Sequence, residues 1–102
     1  MNWKIRFHPV VVKLDLPNIP SIARKQILHD IRKKLSINPE QYGEPLRKEL
    51  FGYWKLRVGD YRVIYKIKKL ELIILILKLG QRKDKKVYRE MLQRTKKTLW
   101  TE

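Results

Sequence analysis

An α+β fold is what this sequence predicts: an antiparallel sheet of about four strands, two N-terminal helices packed on it, and a short C-terminal helix. Three observations carry it. Apolar side chains recur at helical spacing from Ala23 to Leu35, then alternate with basic residues in Phe51–Lys66, FGYWKLRVGDYRVIYK, and finally run without interruption from Leu72 to Leu77. A period of 3.6 marks an amphipathic helix, a period of two a half-buried strand, and a short continuous run a strand covered on both faces. At 102 residues the chain reads as one domain, 1–102, large enough to bury roughly 65% of the surface its unfolded form would expose.

The elements follow in order. Trp3, Ile5 and Phe7 alternate with Lys4, Arg6 and His8, a first strand that Pro9 ends by removing a backbone donor. Val10 to Leu14 reads as a short helical segment, and Asp15-Leu-Pro-Asn-Ile-Pro as a turn. A longer helix opens near Pro20 or Ser21, with Ser21 or Asn18 available as cap. Ala23, Ile27, Leu28, Ile31 and Leu35 make its apolar face; Lys25, His29, Arg32 and Lys33 make its outer face. Ser36-Ile-Asn-Pro stops it, because the residue before a proline is pushed out of helical geometry, and a loop runs on through Gly43 and Pro45.

Gly59-Asp60 then predicts a two-residue type II′ hairpin, which sets Val58 against Tyr61, Arg57 against Arg62 and Lys55 against Ile64. Trp54, Leu56, Val58 and Val63 share the buried face; Lys55, Arg57 and Arg62 share the other. A second hairpin through Lys68-Lys69-Leu70-Glu71 leads into the Leu72–Leu77 strand, and Gly80 interrupts the pattern. From Asp84 to about Lys97 a last helix places Val87, Tyr88, Met91 and Leu92 on one side.

Composition narrows the chemistry. Twenty-five Lys and Arg against 10 Asp and Glu leave a net charge of +15, which favours polyanionic partners and nucleic acid first. The absence of cysteine excludes disulfides, thiolate metal sites and a thiol nucleophile. The N-terminus, MNWKIRFHP, lacks a signal-peptide pattern, and the apolar run is far short of a membrane span of roughly 20 residues, so a cytoplasmic location is expected. His8 beside Pro9 and His29 among helix-surface lysines read as structural or solvent-facing residues. No paired carboxylates or ligand clusters support metal or glycosidase chemistry.

Like charges directly across a strand pair destabilise the pair by a fraction of a kcal/mol or more, so Arg57 facing Arg62 marks a place for an anion. Lysines, arginines and tyrosines suffice for phosphodiester transfer when the RNA supplies its own 2′-hydroxyl. Arginines hold phosphate oxygens bidentately and offset developing negative charge, but they stay protonated. Proton movement falls to lysine or tyrosine.

The stretch GEPLRKELFGYWKLRVGDYRVIYKI followed by LKLGQRKDKKVY resembles the RelE/ParE superfamily of type II toxins, more closely its RelE branch. The resemblance covers nearly the whole chain and implies a RelE-like fold. It implies a metal-independent, cofactor-free endoribonuclease that cuts messenger RNA in the ribosomal A site, leaves a 2′,3′-cyclic phosphate, and is silenced by a RelB-like antitoxin through which alone it oligomerises. By position it implies catalytic roles for Lys55, Arg62, Arg82 and Tyr88, with Tyr53, Arg57 and Lys78 as RNA contacts. Tyr53 stands where RelE itself carries a further lysine. Two other readings stay open: a ParE-like gyrase poison, whose members typically lack the Arg and Tyr pair seen here as Arg82 and Tyr88, and a non-catalytic module that binds antitoxin or ribosome.

Overall fold

The computed structural model describes residues 2–81 and 86–96. Strand β1 (Lys4–Phe7) leads into a π-wound turn (Val11–Asp15), a 3-10 turn (Leu16–Asn18) and helix α1 (Ser21–Asp30), which continues as a wider turn through Leu35. A short helix α2 (Pro39–Tyr42) precedes a two-residue strand β2 (Glu44–Pro45). Strands β3 (Trp54–Val58), β4 (Tyr61–Lys68) and β5 (Ile73–Gln81) follow, and helix α3 (Lys86–Lys96) closes the described chain. No helix among the described residues is long and apolar enough to cross a membrane.

The fold is α+β as expected, but the sheet is mixed and has five strands, in the order β1-β5-β4-β3-β2. The expected antiparallel sheet of about four strands is corrected twice. β1 pairs parallel with β5, Lys4 against Ile73 through Phe7 against Ile76. This needs a long crossover, which the N-terminal helices supply. The Gly43–Pro45 loop contributes β2 through Glu44 against Lys55 and Pro45 against Trp54. Within the same loop, Pro39 opens α2, because proline's fixed φ suits a first helical turn.

Two apolar layers sandwich the sheet. On one face Val11, Ile19, Ile27, Ile31 and Leu35 pack against Leu56, Val58, Val63, Tyr65, Ile74, Ile76 and Leu79. On the other, Val87 and Met91 of α3 pack against Leu50, Ile64, Leu75 and Leu77. β5 lies between β1 and β4, and Ile73 through Leu79 are all buried, as a strand covered on both faces should be. Leu72 does not join it: it sits in the turn with φ +56° and is 40% exposed.

Three local expectations change. Neither Ser21 nor Asn18 caps α1; Pro20 occupies the cap position, and the Asn18 amide donates backward to the Leu14 carbonyl at 2.8 Å. Gly80 does not end the strand, which continues to Gln81. A Cβ at Gly80 would stand 2.7 Å from Val87 Cγ2, so the glycine is there to let α3 lie close. Finally, the register slips between Ile64, paired with Lys78, and Tyr65, paired with Ile76, leaving Leu77 as an extra residue on β5.

Candidate functional site

The β3–β4 hairpin has the register its turn residues predict: Val58 faces Tyr61, Arg57 faces Arg62 and Lys55 faces Ile64. Gly59 takes φ +55°, and Asp60 is not among the positive-φ residues, as a type II′ turn requires. Leu56, Val58 and Val63 are buried, with Trp54 partly so, against the helical layer. Lys55, Arg57 and Arg62 line a cavity of about 160 Å³ together with Lys34, Tyr42, Glu44 and Leu56. This cavity opens beside β3 where β2 stops after pairing with Lys55.

Arg62 is the centre of the site. Its Nη1 donates to the Tyr88 hydroxyl at 2.6 Å, with the guanidinium carbon 5.9 Å from the Tyr88 ring centre. Among the described residues its Nε is a buried donor without a hydrogen-bond partner. Arg62 lies opposite Gly80, the residue that lets Val87 and its neighbour Tyr88 approach the sheet. The absent side chain at Gly80 is therefore what brings the C-terminal helix to the hairpin.

Lys55 has the Glu44 carboxylate 3.9 Å from its ammonium, an arrangement set by their pairing across β2 and β3. Arg57 is exposed. Tyr53 is half-buried against the Leu50 and Ile64 cluster that Tyr88 also joins, and the Lys66 ammonium lies 5.8 Å from its ring centre. Arg82 lies outside the described residues. His8 is buried, its Nδ1 accepting from the Val10 amide at 3.2 Å, and His29 is exposed beside Lys25, Arg32 and Lys33 on the outer face of α1.

Lys78 is a correction. It is 5% exposed, with its ammonium 3.1 Å from Asp15 and 3.2 Å from Glu90. Lys78 shares the sheet face of Ile64 and Arg62 through its pairing with Ile64, but its ammonium is buried and taken up by protein carboxylates. Asp15 also accepts from the Leu79 amide at 2.9 Å and from Arg94 Nη1 and Nη2 at 2.9 and 2.5 Å. Because β1 ends opposite Ile76, this carboxylate takes the place of a strand at the edge of β5. Arg94 also donates to the Leu77 carbonyl at 2.9 Å, so one end of α3 is clamped while Tyr88, nearer the other end, meets Arg62.

Sequence reasoning passed over Asp15, Glu44 and Arg94. A signal existed for the first: a lone lysine inside IILILKLG, a strand covered on both faces, demands a buried carboxylate partner. Tyr65 was also unremarked. Fully buried, it donates its hydroxyl to the Pro39 carbonyl at 2.6 Å and stacks with Trp54 at 6.5 Å between ring centres. Burial, and to a lesser degree the Glu40 charge, pushes its hydroxyl well above the ordinary value of 10.0. The hydroxyl passes where a Cβ at Gly43 would be, so only glycine fits between α2 and β2.

Residues 13–86 match the family model described as ParE toxin of type II toxin-antitoxin system, parDE. Toxin RelG of Mycobacterium tuberculosis is 32% identical over 89 residues, 87% of this chain and 99% of that protein. The toxin–antitoxin complex RelBE2 of M. tuberculosis contains a chain with TM-score 0.76 and 30% identity, covering 82% of this chain and 95% of that one. The archaeal RelE–RelB complex of Pyrococcus horikoshii OT3 gives TM-score 0.61 and 31% identity over 80% of this chain and 97% of that one. With the mixed sheet, the N-terminal helices and α3 arranged as described, this chain belongs to the RelE/ParE superfamily and is a toxin of the RelE family of type II toxin–antitoxin systems.

Proposed function

We propose that this toxin is a ribosome-dependent endoribonuclease that cleaves messenger RNA in the A site and is silenced by a RelB-like antitoxin. The observation that carries the reading is the surrounding of Arg62: Tyr88 at 2.6 Å, Arg57 directly across the hairpin, Lys55 on the same cavity, and a buried Nε with no partner among the described residues. Two arginines paired across the hairpin and lining one cavity with Lys55 suit a phosphate.

In this reading the 2′-oxygen attacks the adjacent phosphorus and the bond from phosphorus to the 5′-oxygen breaks. One product keeps a 2′,3′-cyclic phosphate; the other leaves with a protonated 5′-oxygen. Arg57 and Arg62 hold the non-bridging oxygens and offset the charge that grows there. Lys55 and Tyr88 are the groups that accept and return the proton, since guanidinium cannot. Arg82 adds a third guanidinium by family resemblance, and Tyr53 a ring for a base. No metal or cofactor enters these steps.

The test is expression without antitoxin, followed by mapping of message ends on programmed ribosomes. Cuts confined to the A site support the reading, and Arg82→Ala with its fold intact should abolish them. A ParE-like reading keeps a place because the matching family model is the one named for ParE. Intact message together with inhibited gyrase supercoiling would establish that reading instead, and ribosome binding without any cut would leave a non-catalytic module.

A further inference from the structure

We infer that Tyr42 and Lys34 form a nucleobase-stacking subsite next to the phosphate position, so that a single-stranded RNA wraps around the open edge of β3. This rests on the proposed RNA-cleaving function for its choice of ligand, and on separate observations for its location. The cavity lined by Lys55, Arg57 and Arg62 does not stop at the cationic face: Tyr42 and Lys34, which come from the helical side of the sheet, line it too. It can do so because β2 is only two residues long and its pairing with β3 ends at Lys55.

Tyr42 is built to be a platform. The Lys34 ammonium lies 5.9 Å from its ring centre and is itself held by Asp30 at 3.5 Å, a carboxylate that is 9% exposed and also accepts from Gln26 at 2.8 Å. Tyr42 nevertheless remains 50% exposed. An aromatic ring fixed by a cation and left half open offers a flat face to a base. The position of α2 is set from below, where the buried Tyr65 hydroxyl binds the Pro39 carbonyl and Gly43 gives it room.

Size and charge agree. The cavity's 160 Å³ is below the roughly 300 Å³ of a small-molecule pocket, room for one base rather than a whole cofactor. Its positive groups Arg57, Arg62 and Lys55 lie on one side and suit a phosphate. Glu44, with its side chain 76% exposed, lines the same cavity, where a carboxylate repels a second phosphate but accepts a hydrogen bond from a base edge. A nucleotide thus enters phosphate towards Arg57 and Arg62 and base towards Tyr42.

The experiment titrates the purified toxin with a fluorescent, uncleavable 2′-O-methyl hexanucleotide, and with the same strand made abasic at each position in turn. Tyr42→Ala should weaken binding of the intact strand about tenfold, within the range of one base-stacking contact. One abasic strand should bind the wild type equally weakly and lose nothing further in Tyr42→Ala, while Tyr42→Phe keeps wild-type affinity. Equal binding by Tyr42→Ala and wild type, additive losses with every abasic strand, or no binding by the wild type overturns the subsite. Cleavage on programmed ribosomes is scored separately. A wild type that binds through Tyr42 but never cuts sinks the nuclease reading and keeps the subsite; a wild type that cuts, with a Tyr42→Ala variant that binds and cuts equally well, does the reverse.

Discussion

Asp15→Ala tests whether one carboxylate holds the C-terminal helix to the sheet. The wild-type side chain is 3% exposed and accepts from Lys78, the Leu79 amide and both terminal nitrogens of Arg94. Among the described residues, its loss leaves Arg94 with only the Leu77 carbonyl and Lys78 with only Glu90, a residue whose side chain is 53% exposed. Removing one partner from a buried ion pair costs about 3–5 kcal/mol because the other charge stays buried. Against a total stability of about 5–15 kcal/mol, that is a large share. With a urea m-value near 2 kcal/mol/M, the midpoint should fall by about 2 M with the slope unchanged. Equilibrium urea unfolding followed by far-UV circular dichroism measures this. A fall of less than about 0.5 M, equivalent to about 1 kcal/mol at that slope, would refute the reasoning, for it would mean that Arg94 and Lys78 find water or other partners at little cost. Replacing Asp15, Lys78 and Arg94 together by apolar residues of similar size should recover much of the loss, since well-packed apolar side chains often match a buried ion cluster.

Other outcomes follow from the same geometry. Gly80→Ala puts a methyl 2.7 Å from Val87 Cγ2 and should cost about 1–3 kcal/mol by overpacking; unfolding curves should show Gly80→Ala with Val87→Ala regaining most of it. Arg62→Lys keeps the charge but loses the planar fork, and cleavage on programmed ribosomes should fall about 10²–10³-fold, the usual cost of a lost transition-state donor; unchanged cleavage would remove Arg62 from the site. Tyr65 supplies a pH signature. Its folded-state value is raised, so its contribution is complete below the unfolded value of 10.0 and is lost as pH rises towards the folded one. Stability of the wild type should therefore drop above pH 10 by about 1.4 kcal/mol per pH unit from this group, and the difference between wild type and Tyr65→Phe in urea midpoint should shrink over that range.

Local periodicity was enough for much of this molecule. The alternation in WKLRV and YRVIYK, with Gly59-Asp60 between them, determined the hairpin, its register and which side chains share its cationic face, because a two-residue turn leaves no freedom in pairing. The apolar stripe ending in Ile27, Ile31 and Leu35 likewise determined the buried face of α1 and the turn that extends it. Short-range patterns are silent about partners far apart in the chain. That β1 lies parallel to β5, that Glu44 reaches Lys55, and that Asp15 gathers Lys78 and Arg94 all depend on how layers close on one another. Lys78 shows the difference most plainly: its place in an apolar strand signals a need for a carboxylate, but only the packing of α3 and the N-terminal turns over the end of β5 supplies Asp15 and Glu90. The same closure, allowed by a glycine at position 80, sets the Tyr88 hydroxyl on Arg62 and so joins the C-terminal helix to the basic hairpin.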